Sequence, residues 1–275
     1  MINEVSSMEN KNQNGEKKAP YLPKSSPAAG AHIGHVIAVR SGKGGVGKSF
    51  VSSYLSVLLS RKGFKVGVMD CDITGPSIPF AFNRKGPVYG ANGVFYPLKS
   101  KGGIEVRSSN LLLDSPEDPI VWRGSRISTL IEQFYAQVVW NVDFLILDLA
   151  PGTGDISLTV FQKIPVDAAV VVATPQSLVS LIVEKSAKMA DRLNVPLLSL
   201  VENRAYVKCP DCGKRIDIYG KQGNDAELAK KHGIPVFDEI PFDSEIASFM
   251  DKGDIEDFKG DYLSSTVDAI LKSLK

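Results

Sequence analysis

The sequence predicts an α/β fold: a doubly wound, mostly parallel sheet with helices on both faces. Three observations carry that expectation. From His35 onward, short aliphatic runs alternate with stretches whose apolar residues recur at helical spacing, the pattern of a parallel sheet covered on both sides. The run Phe144-Leu145-Ile146-Leu147 is apolar without interruption, as strands buried on both faces are. Finally, Gly42-Lys43-Gly44-Gly45-Val46-Gly47-Lys48-Ser49 fits G-x-x-x-x-G-K-[ST] at every fixed position, between a strand (His35-Val36-Ile37-Ala38-Val39) and a helix. The chain of 275 residues, 43% hydrophobic and 23% charged, has the composition of an ordinary globular protein that one large core can organise.

The first 31 residues are rich in Asn, Ser, Lys and Pro and nearly empty of aliphatics. Such a segment cannot bury enough surface to offset its ordering entropy, so residues 1–31 read as a disordered polar tail. Residues 32–275 read as the folded domain. Its first strand runs into the phosphate loop, and Val51, Tyr54, Leu55 and Leu58 follow at helical spacing, so a helix starts near Gly47. In that context the loop has a mechanism. Backbone N–H groups and the positive end of the helix dipole face an anion, and glycines let the backbone close around phosphate oxygens. Lys48 reaches the outer phosphates, and the Ser49 hydroxyl completes a Mg²⁺ shell.

After Gly63, a helix C-cap, the strand Lys65-Val66-Gly67-Val68-Met69 runs into Asp70-Cys71-Asp72-Ile73-Thr74-Gly75-Pro76-Ser77. Acids at the carboxyl end of a strand beside a phosphate loop lie where α/β sheets bind ligands, although they also serve as turn caps. Residues 84–113 are glycine-rich, with β-like pieces at Val94-Phe95-Tyr96 and Ile104-Glu105-Val106, and read as a hairpin-like excursion without chemistry. Trp122-Arg123-Gly124 opens an amphipathic helix through Leu130, Phe134 and Val138. The buried run from Phe144 ends in Asp148, the acid that holds Mg²⁺ through its water shell in phosphate-loop enzymes. Ala150-Pro151-Gly152-Thr153-Gly154-Asp155 follows, then a strand over residues 168–173, Thr174-Pro175-Gln176, a helix to about Leu193, and the strand Leu197-Leu198-Ser199-Leu200-Val201.

Lys208-Cys209-Pro210-Asp211-Cys212-Gly213 is the second decisive feature, inside a loop of about residues 205–222. Two cysteines separated by two residues place both sulfurs on one metal centre, with Pro and Gly favouring the tight knuckle. One pair supplies two thiolates where zinc or an iron–sulfur centre wants four, and two-fold symmetry across a homodimer is the simplest completion. From the bare pair, zinc and iron–sulfur are equally good readings, and C-x-x-C also serves redox exchange.

The chain resembles the deviant Walker A ATPases, which include MinD, ParA and the Mrp/ApbC-type iron–sulfur carriers. The resemblance rests on Lys43 directly after the first loop glycine, on D-x-D-I-x-G-P-S over residues 70–77, on P-G-T-G-D over residues 151–155 and on C-P-x-C-G over residues 209–213. It narrows to the Mrp/ApbC branch and covers about residues 33–260. It implies that Lys43 crosses a dimer interface to the partner's nucleotide, and that Asp72 orients or activates the attacking water with Asp70 in support. It also implies that Asn203 hydrogen-bonds the adenine edge, and that Cys209 and Cys212 share a [4Fe–4S] cluster with a second copy. The expected activity is slow ATP hydrolysis coupled to handing that cluster to apo-proteins, with ATP, Mg²⁺ and the cluster as cofactors. A positioning or partitioning ATPase like MinD or ParA, and a zinc-stapled nucleotide-binding dimer without cargo, are the competing readings. Ala150, Arg204 and Phe50 depart from the family pattern, at the start of the second switch, after Asn203 and after Ser49.

The net charge of +1 gives no reason to expect nucleic acid or an anionic membrane as partner. Three cysteines do not make a disulfide framework, and no hydrophobic signal core or membrane-length apolar run is evident, so a cytoplasmic location is expected. The last segment puts Leu263, Val267, Ile270, Leu271 and Leu274 on one face. With few basic residues opposite, that helix reads as docked on the sheet rather than on lipid.

Overall fold

The computed structural model describes residues 23–73, 75–86, 88–91, 93–112, 125–152, 154–175, 179–218 and 225–274. In chain order, β1 (His32–Ser41), α1 (Lys48–Arg61), β2 (Val66–Asp70) and the single turn α2 (Ile78–Ala81) come first. The short strands β3 (Gly90–Ala91), β4 (Val94–Phe95), β5 (Leu98–Lys99) and β6 (Glu105–Arg107) lead to α3 (Ser125–Ala136), β7 (Asn141–Asp148) and α4 (Asp155–Lys163). Then follow β8 (Ala168–Ala173), α5 (Val179–Leu193), β9 (Leu197–Asn203) and the hairpin β10 (Val207–Lys208) and β11 (Arg215–Ile216). The chain finishes with α6 (Asp225–Lys231), β12 (Val236–Ile240), α7 (Ser244–Lys252) and α8 (Ser264–Ser273).

The main sheet has the order β12-β9-β8-β1-β7-β2-β6-β5. Its neighbours run parallel except for β5, which turns back antiparallel on β6. This is the doubly wound arrangement expected. Because side chains alternate across a strand, β1 sends Ile37 and Val39 to one core and Val36 and Ala38 to the other. The first core takes Val51 and Leu55 of α1 and Val267 and Ile270 of α8. The second takes Phe134 and Tyr135 of α3 and Phe161 of α4. A third cluster joins Val171 and Leu200 to Ile182, Val183 and Ala229. The C-terminal helix is therefore docked on the sheet, fixed by Thr266, whose N–H (2.9 Å) and hydroxyl (2.7 Å) both donate to Asp238 on β12. No helix among the described residues is long and apolar enough to cross a membrane.

Two features differ from expectation. The 84–113 stretch is only partly a side excursion: β3 and β4 form a small hairpin, but β6 enters the main sheet beside β2. Its Glu105 is buried, accepting from the Asn141 N–H at 3.1 Å and facing Lys99 at 3.7 Å. The end of the polar tail also lies on the fold. Ser25 donates its N–H to the Lys163 carbonyl (2.7 Å) and its hydroxyl to Glu132 (2.6 Å). Lys24 donates to the carbonyls of Phe161 and Ile164, where the negative end of the α4 dipole favours a cation. Trp122-Arg123-Gly124, Thr74, Thr153 and Gln176 lie outside the described residues, as does the tail up to residue 22.

Candidate nucleotide site and cysteine knuckle

The sheet register brings three strand ends together. Val39 of β1 and Asp70 of β2 both pair with Asp148 of β7, so the phosphate loop leaves β1 beside both acids. The loop turns through Gly45 (φ 77°) and Gly47 (φ 85°), left-handed conformations that a side chain resists. Gly47 is the N-cap of α1 and has no capping side chain, and no acid occupies the first helical turn. The first N–H groups of α1 thus keep their positive field for an anion. Gly42 packs so closely on Ile182 of α5 that a Cβ would come within 2.5 Å of it.

Under the loop, Asp148 is fully buried and organises the polar atoms around it. Lys48 Nζ lies 2.8 Å from its Oδ1, and the hydroxyls of Ser49 and Ser52 donate to it at 2.6 Å each. Burial opposes charge on Lys48, but Asp148, with Asp70 and Asp72 adding to it, outweighs this and raises the ammonium above its usual pKa range. An oxygen-only pair, Ser49 Oγ and Asp148, suits a hard divalent cation such as Mg²⁺, which with bound phosphates would neutralise developing charge. Ser52 was not anticipated. It lies three residues beyond Ser49, on the adjoining part of the α1 surface, and that helical spacing was its only signal in the sequence.

Asp70 is also buried and holds the first switch in place. It accepts from the N–H groups of Asp72 (3.0 Å), Ser77 (3.1 Å) and Ile78 (3.3 Å) and from the Ser108 hydroxyl (3.2 Å). Burial, with the Asp148 carboxylate adding to it, pushes its carboxyl up to about 8. Asp72, two residues on, is half-buried. In the second switch, the Gly152 N–H donates to the Ser41 carbonyl (2.9 Å), and Pro151 lies against the loop glycine Gly44. Lys43 is exposed on the loop.

Asn203 ends β9 against the loop. Its Nδ2 donates to the Val46 carbonyl at 2.9 Å, its Oδ1 accepts the Arg204 N–H at 3.0 Å, and a Cβ on Gly47 would lie 2.1 Å from Nδ2. One N–H and one lone pair of the amide take no part in these two bonds.

From Asn203 the chain passes directly into the cysteine hairpin. The Cys209 N–H donates to Lys214 O and the Gly213 N–H to Cys209 O, each at 2.9 Å, with Gly213 at φ 70° closing the turn. Cys209 is half-buried and Cys212 exposed. The backbone N–H groups of Cys212 and Asp211, and then the Cys212 thiol, hold the Cys209 thiol below its ordinary range, favouring the thiolate a metal needs. Among the described residues no group of three or more His, Cys, Asp or Glu is arranged to hold a metal ion. Cys71 is sealed in the core under the first switch and adds nothing to it.

Comparison with known proteins gives this geometry a family. The profile of the ParA family described as the NUBPL iron-transfer P-loop NTPase matches residues 32–275. The chain belongs to this family. A relative from Clostridium perfringens named "Iron-sulfur cluster carrier protein" is 41% identical over 236 residues, covering 82% of each chain. One of the same name from Methanocaldococcus jannaschii is 42% identical over 225 residues, covering 80% of this chain and 77% of its own. A nucleotide-binding protein from Archaeoglobus fulgidus, solved in complex with ADP, superposes with a TM-score of 0.77 at 41% identity, covering 84% of this chain and 91% of that one. The cell division ATPase MinD of Pyrococcus furiosus shares the fold, with a TM-score of 0.57 at 18% identity and coverage of 87% and 99%. This chain is accordingly a P-loop ATPase of the iron-transfer group, as its motifs implied.

Proposed function

We propose that the protein is an iron–sulfur cluster carrier. It holds a labile [4Fe–4S] cluster between the Cys209–Cys212 pairs of two copies and passes it to apo-proteins, with slow ATP hydrolysis coupled to binding or transfer. The observation that carries this reading is the half-shell on the hairpin: two cysteines in a metal-ready knuckle, built directly onto the strand that buttresses the phosphate loop. The names of its relatives support the same cargo. In this reading Lys48 and the loop amides from Gly42 to Ser49 bind the phosphates, Ser49 and Asp148 hold Mg²⁺, and Asp72 orients the attacking water. Asn203 addresses the adenine with its spare N–H, and Lys43 contacts the partner's nucleotide.

Anaerobic reconstitution with iron and sulfide tests the proposal. Wild-type protein should gain a brown visible absorption and about four irons per dimer, whereas Cys209→Ser and Cys212→Ser should each stay colourless. A wild-type protein that remains colourless and retains zinc instead would leave a zinc-stapled dimer as the better description.

A further inference from the structure

The two departures from the family pattern at Arg204 and Phe50 both lie on the route between the phosphate loop and the cysteine hairpin. Arg204 sits at the hinge where β9 gives way to the hairpin, in a left-handed conformation (φ 59°) that a non-glycine residue adopts only when its surroundings hold it there. Its N–H donates to Asn203 Oδ1, and its Nη1 reaches the carbonyl of loop residue Gly45 at 3.4 Å, a long contact. Its guanidinium also covers the ring of Phe242, 5.8 Å from the centroid. Phe242 is half-exposed and is tied to the root of the hairpin by its N–H, which donates to Tyr206 O at 2.7 Å. One side chain therefore bridges the phosphate loop and the base of the hairpin.

The second connection runs through rings. Phe50, the residue after Ser49, meets Phe258 edge-on at 6.0 Å, and Phe258 stacks on Tyr262 at 6.3 Å. Lys208, adjacent to Cys209, places its ammonium 5.3 Å from the Tyr262 ring centroid. A shift of the loop or of the first turn of α1 thus meets the incoming arm of the hairpin at two points, near Tyr206 through Arg204 and Phe242 and at Lys208 through Tyr262.

We infer that Arg204 is a positioning residue that couples occupancy of the phosphate loop to the exposure of Cys209 and Cys212, with the Lys208–Tyr262 contact as a second strut. The inference rests on the nucleotide-binding half of the proposed function and not on the cluster. It is tested on metal-free, full-length protein by the rate of iodoacetamide alkylation of Cys209 and Cys212, read peptide by peptide, with and without saturating Mg·ATP. The wild-type rate should change about fivefold or more on nucleotide addition, the scale of an ordinary coupling between sites. In Arg204→Met, compared at equal nucleotide occupancy measured by equilibrium dialysis, that response should fall below about twofold, and Tyr262→Leu should reduce it part of the way. A wild-type rate indifferent to nucleotide, or an Arg204→Met response equal to wild type, overturns the assignment. Loss of cluster binding with the thiol response intact would overturn only the cargo reading.

Discussion

Lys48 is paired with Asp148 at 2.8 Å, so an arriving triphosphate competes with a buried carboxylate for the same ammonium. In the proposed function, removing Lys48 deletes the charge that binds the outer phosphates. ATP turnover of Lys48→Ala should fall at least about 100-fold in a phosphate-release assay. Asp72→Asn should leave ATP affinity near wild type and slow hydrolysis about 10²- to 10⁴-fold, the range of a lost acid–base group. Equal turnover would remove Asp72 from that role. Asp70 gives a prediction in pH. Its carboxyl is raised to about 8, so the folded chain keeps a proton that the unfolded chain releases in the usual carboxylate range. The stability it contributes is complete below that range and is lost as pH climbs through about 8. Melting of metal- and nucleotide-free protein should therefore decline more steeply between pH 5 and 8.5 in wild type than in Asp70→Asn.

At the scale of elements, the loop–helix turn is the least tolerant. Gly47 combines φ 85° with the Asn203 amide in the space a Cβ would fill. Gly47→Ala should cost about 1–3 kcal/mol in chemical denaturation and weaken ATP binding as well. This turn was fully legible in the sequence, because the chemistry of closing backbone around phosphate admits few residues. So were the buried runs ending at Asp148 and Ala173, where burial on both faces forces apolar side chains. The strand β6 was legible only as a β-like piece at residues 104–106, not as a member of the main sheet. It is three residues long, two of them charged, and Glu105 is buried only because Lys99 and the Asn141 N–H answer its charge across the sheet. Nor was the docking of Lys24 and Ser25, which depends on carbonyls at the far end of α4, more than a hundred residues away in sequence. Local pattern reports burial and turn chemistry, and these contacts are neither.

For the whole molecule, the proposed function calls for a second copy twice, to complete the ligands of Cys209 and Cys212 and to receive the exposed Lys43. Light scattering should register a dimer with Mg·ATP for wild type and a shift toward monomer for Lys43→Ala. A variant that dimerises like wild type would confine Lys43 to its own subunit. The sites for nucleotide and cysteines are on one continuous frame: β1 carries the loop, β7 and β2 the acids, and β9 both the buttress and the exit to the hairpin. Sequence motifs identified each part separately. Their junction at Arg204 lay hidden, since an arginine after Val-Glu-Asn carries no signal of its left-handed turn.

Cys71 is wholly enclosed between the first switch and the second core, and its burial pushes the thiol far from ionisation. Any mixed disulfide, thiol cross-link or thiol-directed dye attached to the intact native protein must therefore have been made on the hairpin. The wild-type chain comes supplied with a spectroscopic handle at the one place where labelling is wanted, and no engineered background is needed to use it.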